Sequence, residues 1–267
     1  MKKHTLLFII TISAFLFTQC DKNNDLVLFG IETDQEFGLQ ADSAIKADPA
    51  TYPILSRSEN QEAYAYLDGI VDEILNSGKV TYKDEFAWEV HIINDDETLN
   101  AFATPGGYIY VYSGLIKYLD QEDDLAGVLG HEIAHADQRH SIKQIQKQYG
   151  LSIITSIILG ENPSQLGEII GGLTGQLAVL QFSRSHEKEA DDYSVIYLAE
   201  TDYACNGAYS FFQKMIDQKQ TGNTPVFLST HPDPESRVED INKKASELNC
   251  NTTAKDPESY DHFKSLL

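Results

Sequence analysis

Basic residues are scarce in this sequence: 20 Lys and Arg stand against 41 Asp and Glu. An imbalance of that size is repelled by phosphate backbones and gains nothing from anionic lipid headgroups, which excludes nucleic acid as a partner. Long apolar runs are scarcer still. After the opening stretch Leu6 to Phe17, the best is "LSIITSIILG" at 151–160, about half of what a membrane-spanning helix needs. Internal repeats are missing, so a solenoid or propeller is excluded. Cysteine occurs only three times, at 20, 205 and 250. What remains is an ordinary globular composition, 42% hydrophobic, with ample material for a core.

The opening residues read as an address. Lys2 and Lys3 precede the apolar run, and Cys20 follows with the polar stretch Asp21 to Asp25 behind it. This resembles a bacterial lipoprotein signal, in which Cys20 is lipidated and becomes the new N-terminus. Phe17 and Gln19 stand where such signals usually carry aliphatic and small residues. Ordinary signal cleavage and an uncleaved anchor are the alternatives. Export is the expectation in each case, to the periplasm or cell envelope, with membrane contact only through an N-terminal lipid. In that compartment Cys205 and Cys250 form an even pair that can bridge, or else remain as two buried thiols.

Periodicity then organises the chain without a clear domain break. "DQEFGLQADSAIKAD" is an amphipathic start, and Ala63, Tyr66, Leu67, Ile70, Val71 and Ile74 recur at helical spacing. Phe86, Trp88, Val90 and Ile92 alternate as a half-buried strand does, and "YIYVY" at 108–112 follows the turn "TPGG" as a second β-rich run. From Asp120 onward the pattern is helical.

Within that helical half lies "LGHEIAHADQRH", residues 129–140. Asp120 can cap the helix, and Leu125, Val128, Leu129, Ile133 and Ala136 mark its buried arc. At about 100° per residue, His131 and His135 lie within roughly 40° of each other. Two neutral imidazoles on one rigid rod fix two corners of a zinc tetrahedron. Glu132 cannot reach the same ion but can reach its water, the place of a general base. The competing reading is a partly exposed helix with two solvated histidines. His140, nine positions after His131, falls near the opposite side of a continuous helix and suits that reading, so it receives no ligand role.

A second helical stripe decides between them. Leu166, Ile169, Ile170, Leu173, Leu177 and Leu180 are continued by Val195 and Leu198, with Arg184, Glu187 and Asp191 on the same stripe. Ionised groups on a core-facing line are costly unless they meet a metal or opposite charges. Glu187 is therefore the expected third ligand, and Asp191, one turn on, the acceptor that orients a ligand histidine. A salt-bridged exposed face is the alternative. The segment Glu161 to Gly175, with Pro163 and several glycines, is a candidate cleft cover.

"NAFATPGGYIYVYSGL", "LAGVLGHEIAH", "FSRSHEKEAD" and "THPDPESR" occur in the order and spacing of the HtpX/BepA-like zinc metallopeptidases, the family that also includes the CAAX prenyl protease, and the resemblance spans about residues 60–245. It implies a mainly α-helical α+β fold of zincin type, with a small sheet whose edge strand lines the cleft beside the HExxH helix. It implies a gluzincin holding one Zn2+ per chain through His131, His135 and Glu187, with Glu132 as base and Asp191 in support. It places the edge strand at Tyr108, Ile109 and Tyr110, where an extended peptide would pair. It also brings His231 and Arg237 near the zinc, to stabilise an oxyanion or, for His231, to fill the open position at rest. Asp233 as cap and Pro234 at the first helical position would set that histidine and arginine. From spacing alone a histidine in such a turn is structural.

The division expected on this basis is a signal over 1–20, a linker or helical extension over 21–58, the metallopeptidase domain over 59–250 and a tail over 251–267. The function implied is cleavage of unfolded or envelope polypeptides. An envelope chaperone or assembly factor with a latched or structural zinc site is the alternative, and a zinc hydrolase of other substrates a third reading without positive support.

Overall fold

The computed structural model describes residues 19–20, 26–27, 29–150, 182–219, 227–232, 234–255 and 258–267. The apolar leader before Gln19, the leucine stripe of 166–180, the candidate cover 161–175 and the cap at Asp233 lie outside the described residues. Two short strands, β1 (Gln19–Cys20) and β2 (Leu26–Val27), pair antiparallel ahead of helix α1 (Ile31–Lys46). Helix α2 (Gln61–Leu75) follows, then a three-stranded sheet of β3 (Glu89–Ile93), β4 (Ala101–Ala103) and β5 (Tyr108–Tyr112). The remaining described elements are helical: α3 (Ser113–Tyr118), α4 (Glu122–Asp137), α5 (His140–Tyr149), α6 (Arg184–Leu198), α7 (Ala208–Lys219), α8 (Phe227–Thr230), α9 (Pro234–Leu248) and α10 (Glu258–Ser265). No helix among the described residues is long and apolar enough to cross a membrane. The fold is mainly helical with a small three-stranded sheet, as the motifs imply, besides the β1–β2 pair.

The sheet order is β3-β5-β4, with β3 parallel and β4 antiparallel to β5. Tyr108 to Tyr112 is thus the central strand and not the expected edge. Its five residues are all buried, which explains the unbroken "YIYVY": a strand covered on both faces has no polar positions to alternate. The edge beside α4 is β4. The strand expected from Phe86 begins only at Glu89, because Trp88 takes a left-handed backbone, φ 46°, and its Nε1 donates to the carbonyl of Tyr82.

Two apolar clusters sandwich the sheet. One joins α1 to it through Phe37, Ala41, Ile45, Phe102 and Tyr110; the other, much larger, joins α2, α4, α6, α7, α9 and α10 through residues such as Leu67, Leu129, Val195, Phe211 and Phe263. Helix α4 runs through the larger one, and every residue from Asp123 to Asp137 is buried. Its arc extends well beyond the five apolar positions that mark it in the sequence. Enclosure on all sides requires close neighbours, and glycine permits them. A Cβ on Gly127 would lie 2.1 Å from the backbone nitrogen of Ala208, and one on Gly130 2.8 Å from Ser194 Oγ. Ser194 Oγ in turn donates to the Gly127 carbonyl at 2.9 Å, tying α6 to α4.

Gln121, rather than Asp120, caps α4. Its side chain accepts from the third helical residue, while Asp124 reaches back to the backbone nitrogens of Gln121 and Asp120. Asp120 instead faces outward to Lys214 at 2.7 Å. At the other end Arg139 breaks the helix with φ 58°. Its guanidinium is held by Asp34 at 2.6 Å and by the carbonyls of Phe29 and Gly30, which pins the start of α1 to the break. Cys205 and Cys250 are joined by a disulfide that links the start of α7 to the end of α9.

Candidate metal centre

Helices α4 and α6 cross so that four side chains converge. One ligand atom each from His131, His135, Glu187 and His231 lies within 4.8 Å of all the others, and all four residues are buried. His131 and His135 stand one turn apart on α4, their Nε2 atoms 2.9 Å from each other. Glu187 sits in the first turn of α6, where Ser183 caps the helix by accepting from the backbone of His186. Its two oxygens lie 3.5 Å from His131 Nε2 and from His135 Nε2. His231 approaches from the end of α8 with Nδ1 3.2 Å from His131 Nε2 and 3.1 Å from Glu187 Oε2. Asp191 follows Glu187 by one turn, while Arg184, on the same stripe in the sequence, is exposed.

Supporting contacts fix the orientation of each ring. Asp191 Oδ1 lies 2.9 Å from His131 Nδ1, so the other nitrogen of that ring faces the convergence point. Arg237 clamps Asp191 with Nε and Nη2 at 2.7 and 2.6 Å, places Nη1 3.0 Å from Glu187, and lies over the ring of Phe212 at 3.9 Å. Phe182 stacks on His135 and Phe227 on His231, with centroids 4.0 and 4.3 Å apart.

His140 departs from expectation. The break at Arg139 turns it back, so it is fully buried, with Nδ1 2.9 Å from His135 Nδ1 and Nε2 3.2 Å from Glu189. It is neither solvated nor one of the four converging donors; it touches one of them, His135. No glycine or proline signals this break in "HADQRH", so the sequence reads as one continuous helix.

The donor set fits a small divalent ion. A tetrahedron with bonds of about 2.0–2.1 Å has edges of roughly 3.3–3.4 Å, close to five of the separations here, 2.9–3.5 Å, within an overall spread of 4.8 Å. Charge points the same way. The carboxylates of Glu187 and Asp191 are buried against the guanidinium of Arg237, with Glu132 buried beside His231, a grouping of acids that a bound cation would offset. Burial alone would raise the carboxyl of Glu187, but His231 and Arg237 overcome it and hold the group well below its usual range. Burial, then His131, pushes the His135 imidazole down to about 3, which keeps it neutral as a ligand must be. His231 goes the other way: burial opposes protonation, yet Glu187 wins and raises it.

Glu132 completes the arrangement. It is 1% exposed, its Oε1 has no hydrogen-bond partner among the described residues, and that atom lies 3.6 Å from His231 Nε2. A buried carboxylate oxygen left unsatisfied beside a cation site is placed to accept a proton from a water there.

Comparison with known proteins agrees with this geometry. Residues 61–245 match the model described as peptidase family M48. The chain is 34% identical over 176 residues to the beta-barrel assembly-enhancing protease of Yersinia pestis, covering 61% of this chain and 36% of that protein. The protein of the same name from Escherichia coli K12 is 34% identical over 169 residues, covering 59% and 34%. The mitochondrial metalloendopeptidase OMA1 of Schizosaccharomyces pombe is 32% identical over 163 residues, covering 61% and 48%. The match thus spans about a third of the length of the bacterial relatives.

Proposed function

The chain belongs to peptidase family M48, and on that premise we propose that it is a zinc-dependent endopeptidase of the bacterial cell envelope. The observation that carries this reading is the meeting of His131, His135 and Glu187, drawn from two helices, beside the unsatisfied Oε1 of Glu132. His131, His135 and Glu187 would hold one zinc ion. When bound, that ion supplies Lewis acidity, lowering the pKa of a water and polarising a carbonyl.

The chain's own residues do the rest. Glu132 takes the proton of the attacking water and returns it to the leaving amine. Asp191 holds His131 by accepting from its Nδ1–H, and Arg237 holds Asp191 and Glu187 in place. Nε and Nη2 are engaged in this way, while Nη1, 3.0 Å from Glu187, makes no hydrogen bond among the described residues, so Arg237 positions both acids and keeps an N–H that can donate to a developing oxyanion. His231 stands at the fourth corner of the donor set; there it closes the site at rest, and displaced it can donate to a developing oxyanion. The edge of β4 beside α4 offers backbone groups to an extended polypeptide, a mode that tolerates many sequences and suits unfolded or envelope proteins. Lipidation at Cys20 would tether the enzyme to a membrane.

Replacing Glu132 by Gln tests the reading. The variant should retain zinc and lose casein cleavage by about 10²–10⁴-fold, the share of general acid–base catalysis; undiminished cleavage would refute the base. The position of His231 favours one other reading, an envelope assembly factor with a latched site. Chelator-insensitive binding of envelope proteins without fragments would support it.

A further inference from the structure

His140 has no part in the reaction above, yet it is fully buried against a ligand. We propose that His140 is a positioning residue of the metal centre: it accepts a hydrogen bond from His135 and passes the connection on to Glu189. The inference rests on the reading that His135 ligates through Nε2.

Hydrogen bookkeeping gives the direction of this chain. Two imidazole nitrogens 2.9 Å apart, Nδ1 of His135 and Nδ1 of His140, share one proton. If His135 offers the lone pair of Nε2 to a cation, its proton is on Nδ1, so His140 must accept there. The proton of His140 is then on Nε2, which donates to Glu189 Oε2 at 3.2 Å. One tautomer of each ring satisfies both contacts. The two rings meet nearly edge to face, 74° between planes, while His140 lies flat on His186 at 12° with centroids 4.5 Å apart. Stacking on His186 holds the plane of His140, and the hydrogen bond acts with the stacked Phe182 to hold that of His135.

The device differs from the one behind His131. That ring donates directly to a carboxylate, Asp191, itself clamped by Arg237. His135 donates to a neutral ring with the carboxylate one residue further out. Such supports orient a ligand and raise its basicity, and their loss typically weakens metal binding about 10–100-fold. The backbone makes it possible. On a continuous helix residue 140 would point about 140° away from residue 135; the left-handed Arg139, φ 58°, returns it.

Zinc affinity of the metal-free full-length protein, titrated against a chromophoric chelator, separates hydrogen bonding from packing. His140→Asn keeps an acceptor near Nδ1 but removes the ring; His140→Phe keeps a ring and removes the acceptor. We expect affinity in the order wild type, Asn, Phe, with the Phe variant about 10–100-fold weaker although its metal-free Tm is the nearer to wild type. The ligand-field spectrum of the cobalt-loaded Phe variant should shift as well. Wild-type affinity in the Phe variant, or affinities that follow Tm instead, would overturn the proposal. If neither variant folds, Glu189→Leu reads the same chain: weaker zinc binding supports it and unchanged binding overturns it. Glu187→Gln is the control for the site itself. If it binds zinc as tightly as wild type, the ligand set fails, an outcome distinct from failure of the relay.

Discussion

Nδ1 of His231 stands 3.1 Å from Oε2 of Glu187, and the same nitrogen is 3.2 Å from Nε2 of His131. Those are separations a shared ion would impose on its ligands, so on the proposed reading His231 would take the corner that a catalytic zinc site leaves to water or substrate. Releasing it would break its contacts with Glu187 and His131 and its stacking on Phe227. His231→Ala should therefore open that corner, lowering zinc affinity about tenfold, the lower end for loss of a supporting partner, while raising the initial rate of casein cleavage. A rate that falls while zinc is retained would assign His231 to the oxyanion alone.

Arg237 bridges two carboxylates that are both buried. A lysine has one ammonium in place of a planar fork and cannot span Asp191 and Glu187 with the same geometry. Arg237→Gln leaves both acids without their cation, a loss typically of about 3–5 kcal/mol for a broken buried pair. Urea unfolding of the metal-free variant should show it. Added zinc should recover part of the loss, because the ion supplies charge to Glu187; no recovery would mean that the metal is held elsewhere.

Much of this centre was legible in the sequence because its parts lie on regular helices. The four-residue step from His131 to His135 and the step from Glu187 to Asp191 place each pair on one face, and ionised residues on an apolar stripe flagged the second helix. His140 was not legible, since a left-handed arginine breaks the helix without a glycine or proline to announce it. Strand order escaped for another reason: pairing partners are nonlocal, although five consecutive buried apolar residues at 108–112 could have marked a central strand. Helix α1 reads as amphipathic, but its anchorage to Arg139 through Asp34 spans 105 positions and leaves no local signature.

The disulfide between Cys205 and Cys250 closes a loop of 45 residues that contains α7, α8 and α9, and hence His231 and Arg237. A loop of that size costs the unfolded chain about 4 kcal/mol in the chain-entropy view. The Cys205→Ala, Cys250→Ala double variant should lose about 2–4 kcal/mol in urea unfolding. Zinc content at saturating metal should stay unchanged, since none of the centre's contacts among the described residues involves either cysteine. A loss of zinc without a loss of stability would reverse that assignment.

Acid sensitivity follows from the buried histidines. In the metal-free protein burial and His131 push His135 down to about 3, and burial with His135 and His186 holds His140 well below its ordinary value. The unfolded chain takes up these protons near pH 6.5, so below that pH it binds more protons than the native state and stability falls with pH. Their contribution is complete above about pH 6.5 and is lost progressively toward pH 3. His231, raised by Glu187 against its burial, acts in the opposite sense, as do Asp34 and Asp124, which burial pushes up to about 6. A difference measurement removes those opposing terms. The chelator-treated wild type should lose more unfolding free energy between pH 7 and pH 5 than His135→Asn, because asparagine has no proton to refuse. Equal losses would show that His135 accepts its proton in the folded chain, which would make it a poor neutral ligand and count against the metal centre built on it.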